Sequence, residues 1–263
     1  MKFQIARDAR PQVTTLLFAT ALSLCLWFLP YAEFLAYPFR IFVTFIHEGG
    51  HALAAFVTGN AVHSLTVSPD GSGLVYSTTD STWASLFVSS AGYLGAMTFG
   101  ALLLWLVRHR VKAKAVLAGS GVLVLLLATF FGFLAPLWNW SLPGLFTLVS
   151  GVALPLGLFA AARYLKPRAA AFLVSFLAVQ CVLNAVFDLR NVLFASAFTD
   201  AHTDAANMAN TFSIWPLSTS VFWVLFWIVF AFVIVTLALR AYVAGKESPT
   251  QPDLPFEDSP LDV

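Results

Sequence analysis

Phe45-Ile46-His47-Glu48-Gly49-Gly50-His51-Ala52-Leu53-Ala54-Ala55 sets three ionisable side chains and two glycines inside an otherwise apolar run. His47 and His51 are four residues apart, so on a helix they stand about 40° apart around the axis and leave from one face. Two imidazoles on adjacent turns can bind one zinc ion through ring nitrogens at about 2.0–2.1 Å. Glu48 starts on the neighbouring face, beside the open position of such an ion. There it is placed to take a proton from water and later return it to a leaving amine. An apolar helix that buried three ionisable groups to no purpose would carry a large cost in lipid, so the pattern points to a functional interior.

The rest of the chain supplies that lipid context. Hydrophobic residues make up 59% of its 263 residues and charged ones only 10%, far outside the soluble norm. The expected fold class is an all-α polytopic membrane protein of about seven transmembrane helices, with a short β-hairpin after the zinc-binding helix. A formal net charge of +1 offers no footprint for nucleic acid. Cys25 and Cys181 both sit in apolar runs, which gives no disulfide framework and reads as packing thiols.

In chain order, a basic start with Lys2, Arg7 and Arg10 leads into an apolar run at 13–35. That run is longer than a signal core, holds Trp27 and Pro30, and reads as a retained span. Pro38 suits the first turn of the next helix, which continues to about residue 58. Gly49 and Gly50 each cost about 1 kcal/mol in a helix interior; close approach of a neighbouring backbone or of a substrate would compensate. Residues 62–68 and 74–78 alternate as strands around the turn cluster Pro69-Asp70-Gly71-Ser72-Gly73, predicting a hairpin over 62–78 with His63 as a surface residue. Further spans are expected at 83–107, 116–134, 143–165 with a kink at Pro155, 169–187 and 217–243. The small residues from Ser89 to Ala96 suit packing against the zinc helix. Residues 1–243 form one membrane-embedded domain, and 244–263, rich in proline and acid, form a disordered tail.

The stretch His47-Glu48-Gly49-Gly50-His51-Ala52-Leu53-Ala54-Ala55 resembles the site-2 protease family of intramembrane zinc metallopeptidases, in particular its compact bacterial branch without a PDZ domain. Gly50 falls on the glycine of that family's H-E-x-G-H. The resemblance implies a third zinc ligand, an aspartate on a later membrane helix, and the candidate is Asp188 in Asn184-Ala185-Val186-Phe187-Asp188-Leu189-Arg190. Here the chain departs from the family's N-x-x-P-x-x-x-x-D-G, with no proline after Asn184 and no glycine after Asp188. Cys181, Asn184 and Asp188 share a helix face at i, i+3 and i+7, so Asn184 is a candidate to orient Asp188 or to hold a substrate backbone. Asp200-Ala201-His202-Thr203-Asp204 has metal-ligand types, but reads more simply as a loop in which Thr203 or Asp204 caps a short helix through Asn210. A similar Ser-Asp-Ala-like loop occurs in the compact branch, where it would help close the site.

What the resemblance implies is a zinc metalloendopeptidase with Glu48 as general base and acid, and His47, His51 and Asp188 on Zn2+. Its partners would be the bilayer and membrane-embedded or membrane-proximal segments of substrate proteins, with no nucleic acid. Its location would be a bacterial cytoplasmic membrane, crossed several times. Two other readings stay open on residues alone: a non-catalytic zinc-binding scaffold that meets partners through its hairpin, and a small-solute transporter. Orientation is contested within the sequence. The basic loops at 108–114 and 163–168 place the hairpin outside by the positive-inside rule, while the family resemblance places it in the cytoplasm.

Overall fold

The computed structural model of the chain describes residues 9–29, 31–199 and 203–243. Helix α1 (Arg10–Phe28) and helix α2 (Glu33–Val57) precede a hairpin of β1 (Val62–Val67) and β2 (Gly73–Ser77). Helices α3 (Thr82–Arg108) and α4 (Ala113–Leu127) follow; α4 runs on through a π-helical segment, Ala128–Leu134, into α5 (Ala135–Trp138). Then come α6 (Leu145–Tyr164), α7 (Pro167–Phe198), the short α8 (Asp204–Thr211) and α9 (Ser220–Val243). Among the described residues six stretches are long and apolar enough to cross a bilayer: α1, α3, α4 with its extension to Trp138, α6, α7 and α9. Helix α2 is as long, at 25 residues, but Arg40, Glu48 and the two histidines lower its hydropathy. The protein is thus an all-α polytopic membrane protein with one small hairpin, as the pattern of apolar runs predicts.

Burial ranks the helices. The most apolar window of α7 is 56% buried against 22% for α9 and 17% for α1, so α7 is central and the other two are peripheral. Helix α2 packs most closely on α3, and the reason is steric. A Cβ on Gly50 would run into the carbonyl oxygen of Ala91, and the Gly50 Cα lies 3.7 Å from where a Cβ on Gly95 would sit. The side chain of Leu127 on α4 fills the space beside Gly49. Both glycines are therefore spent on helix packing, which offsets their conformational cost.

Two boundaries differ from expectation. Helix α2 starts at Glu33, which puts Pro38 inside the helix rather than in its first turn; membrane helices tolerate this where neighbours take up the freed carbonyl. Helix α7 does not end near Asp188 but continues to Phe198. Leu189 is buried, and Val192 and Leu193 pack on the core, so the apolar face carries the helix past the polar group Asp188, Arg190 and Asn191. The expected tail at 244–263 lies outside the described residues.

The hairpin is held on three sides. Its antiparallel register pairs Leu65 with Val75 and Val67 with Gly73. At the end of β1 the Val67 amide donates to Thr147 Oγ1 at 2.8 Å, and that hydroxyl lies 3.2 Å from the Val67 carbonyl. His63, as expected, stays on the hairpin surface and meets Asn139 Oδ1 at 2.7 Å. The turn is tied to α2: Tyr37 Oη donates to the Pro69 carbonyl at 2.6 Å and Thr44 Oγ1 to the Gly71 carbonyl at 2.8 Å. Gly71 has φ +83°, and a Cβ there would strike the Arg40 guanidinium, so the turn needs glycine twice over. What remains is the outer edge of β2, with no partner strand in a sheet of two.

Candidate metal centre

Helix α2 delivers the two imidazoles to one place. His51 Nε2 and His47 Nε2 lie 3.1 Å apart. The other ring nitrogen of His51, Nδ1, donates to the Val88 carbonyl of α3 at 2.6 Å. That bond selects the tautomer whose Nε2 presents a lone pair, the usual arrangement behind a metal-binding histidine. The carboxylate that meets the imidazoles is Asp204, not Asp188: Asp204 Oδ2 is 3.4 Å from His51 Nε2. Ligand atoms of His47, His51 and Asp204 all fall within 4.8 Å of one another.

The first turn of α8 explains how Asp204 gets there. Thr203 caps the helix, its Oγ1 accepting the Ala206 amide at 3.1 Å. Asp204, the next residue, lies at the edge of the buried face formed by Ala205, Met208 and Ala209. The expected cap is therefore present, and the residue beside it is free to act as a ligand. His202 lies outside the described residues.

The donor set fits zinc. Ligand bonds of about 2.0–2.1 Å at a tetrahedral angle put donor atoms about 3.3 Å apart; of the three separations in the trio, His51 to His47 is 3.1 Å, His51 to Asp204 is 3.4 Å, and the third is within 4.8 Å. Gly92 on α3 keeps the space open, since a Cβ at that position would fall against Nε2 of both histidines. Tyr93, one residue on, was not singled out by the sequence. Its ring stands edge-on to His47 with centroids 4.6 Å apart, stacks on Trp227 of α9 at 5.3 Å, and its hydroxyl hydrogen-bonds Asp204. Trp227 is itself fixed by Ser90 Oγ, which accepts its indole N–H at 2.8 Å. Burial alone would raise the Asp204 carboxyl, but a protonated His51 beside it holds it below the ordinary carboxylate value; with His51 in its neutral, ligating tautomer, a cation at the trio would supply that positive charge instead.

Glu48 is buried next to His47 and lies under the hairpin. A Cβ on Gly73 would overlap the Glu48 side chain, and the Val75 amide on the open edge of β2 hydrogen-bonds its carboxylate. Two cavities meet at this carboxylate and at Tyr93. One, of about 700 Å³, runs between β2 and α8 over His47, Glu48 and His51. The other, of about 280 Å³, leads away past Arg40, Asn184 and Asp188. Asp188 is thus outside the trio, in the adjoining cavity with Arg40. Asn184 spends its amide N–H groups on Gln180 one turn back, on the carbonyl at 2.8 Å and on Oε1 at 3.1 Å. Cys181 is buried and packs as a thiol away from the trio.

A largely buried trio of two histidines from α2 and a carboxylate from α8, beside a lone glutamate in a polytopic membrane protein, is the kind of site a membrane metallopeptidase uses. The family description Peptidase M50B-like matches residues 15–238 of this chain. The chain belongs to that peptidase family, in agreement with its resemblance to the site-2 proteases. No curated protein and no solved structure matches the chain.

Proposed function

We propose that this protein is an intramembrane zinc metalloendopeptidase that hydrolyses peptide bonds in membrane-embedded or membrane-proximal segments of other proteins. The observation that carries the reading is the meeting of three elements at one point: the His47/His51/Asp204 trio, Glu48, and the outer edge of β2, which has no partner strand and whose Val75 amide reaches Glu48. His47, His51 and Asp204 hold the ion, with Asp204 taking the ligand role that the family resemblance gave to Asp188. A bound zinc ion supplies Lewis acidity, polarising a peptide carbonyl and acidifying water. Glu48 accepts the proton of the attacking water and returns it to the leaving nitrogen. The edge of β2 supplies backbone partners to a substrate unwound into an extended strand. Asp188 and Arg40 flank the route by which the chain leaves the site, and Asn184 stands beside them.

The test is a paired measurement on purified protein in proteoliposomes: zinc stoichiometry, and cleavage of a model single-span substrate. Wild type should hold one zinc per chain and cleave; Glu48→Gln should hold zinc and not cleave. A wild-type protein that holds zinc but cleaves no membrane substrate would return the chain to the scaffold reading.

A further inference from the structure

The larger cavity has a second wall. Opposite the open edge of β2 stands the polar side of α8, with Asp204, Asn207, Asn210 and Thr211 all facing the cleft. Thr211 is engaged, its Oγ1 lying 3.2 Å from Ser85 Oγ and donating to the Asn207 carbonyl at 3.0 Å. Asn207 and Asn210 are exposed, and among the described residues their side-chain amides have no hydrogen-bond partner.

A substrate strand needs more than one wall. An extended segment paired along β2 satisfies the N–H and C=O groups on one edge only. Its other edge would hold an equal number of unpaired groups, and away from water each of these is costly. A carboxamide carries the same donor and acceptor pair as a peptide group. Two of them, three residues apart on one helical face, lie across the cleft from a strand edge that presents Gly73, Val75 and Ser77 outward.

We infer that Asn207 and Asn210 are the second wall of the substrate site, pairing with the outer edge of an extended polypeptide whose inner edge pairs with β2. The ligand class is an unwound stretch of membrane polypeptide, read through its backbone and hence with little side-chain selectivity on that edge. The inference rests on the peptidase reading and extends it to residues that touch neither the metal nor Glu48.

Two experiments on the full-length chain test it. In the first, cleavage kinetics of Asn207→Ala, Asn210→Ala and the double variant are compared with wild type, alongside zinc stoichiometry. The double variant should raise KM about tenfold, as expected for two lost hydrogen bonds, with one zinc per chain retained. A KM within twofold of wild type would overturn the inference, as would a KM rise seen only together with zinc loss, which would mean that the asparagines act by placing Asp204. In the second, Asn210→Cys is placed in a Glu48→Gln, Cys25→Ser background and oxidised against substrates carrying a cysteine at successive positions. An extended substrate gives cross-links at alternate positions; a spacing of three to four, or none, overturns the two-walled strand. Wild type without cleavage of any substrate would instead refute the peptidase reading itself.

Discussion

Asp204 and Asp188 make opposite predictions, and the contrast between them tests the centre directly. A closed four-ligand zinc site in a small peptide has an apparent binding energy of about 10–16 kcal/mol. Shared over four ligands this is about 2.5–4 kcal/mol each, or about 10²–10³ in affinity. Asp204→Asn keeps the shape and the contact with Tyr93 while removing the charge. It should therefore weaken zinc by at least about a hundredfold, because the two Nε2 atoms 3.1 Å apart are left as the only protein donors of the trio. Asp188→Asn should weaken zinc by less than roughly tenfold, the lower range of changes beyond the ligand shell. The assay is competition against a chelator of known affinity, with the full chain in detergent at fixed pH. Wild type sets the reference, and thermal midpoints check that both variants are folded. Loss of zinc in Asp188→Asn with retention in Asp204→Asn would refute the assignment, and with it the account of α8 as a ligand carrier.

Four further variants probe the remaining parts. Glu48→Gln should keep about one zinc per chain while the cleavage rate falls at least roughly a hundredfold, the scale of general-base loss; cleavage at the wild-type rate would remove Glu48 from the chemistry. Tyr93→Phe deletes only the hydroxyl that holds Asp204, leaving the stack on Trp227. It should lower zinc affinity about 10–100-fold without moving the thermal midpoint, and unchanged affinity would show that the hydroxyl does not orient the ligand. Gly92→Ala should lose zinc because the added methyl collides with both imidazoles, whereas Gly119→Ala, with open space around it, should be neutral or stabilising by about 0.4–1 kcal/mol. Zinc retained in full by Gly92→Ala would mean that the cradle is wider than the packing of α3 on α2 indicates.

The helices and the His pair were readable because their signals are local. Apolar runs long enough for a bilayer, the four-residue spacing of His47 and His51, and the turn cluster at 69–73 each declare themselves within one window of sequence. The carboxylate that stands beside the pair did not, because its approach to them is a long-range event. Asp188 lies on an apolar helix like the histidines, and a reading by type and setting prefers it. Asp204 sits in a polar segment where Thr203 already explains the local pattern by capping, so nothing nearby marks it as more than a helix start. Tyr93 was hidden for another reason: in a small-residue run read as a packing face, one aromatic looks like filler. Only the approach of α8 and α9 to α3 reveals what it holds.

One face of α2 does two tasks. Tyr37 and Thr44 pin the hairpin turn, Arg40 packs under Gly71, and Glu48 and His51 continue the same side of the helix toward the metal. From Thr44 to Glu48 the helix climbs about 6 Å, four residues at 1.5 Å. Gly71, which Thr44 holds, is in the turn, and Gly73, which rests on Glu48, is the first residue of β2. The bond at Thr44 therefore anchors the turn next to β2 and with it the position of β2 over Glu48. A slip of one residue would turn the Val75 amide, which now meets Glu48, back toward β1 and present a neighbouring residue of opposite direction to the cleft. The helix face that carries Glu48 also holds the hairpin turn, so under the proposed function one face would both carry the base and set the strand that places a substrate against it.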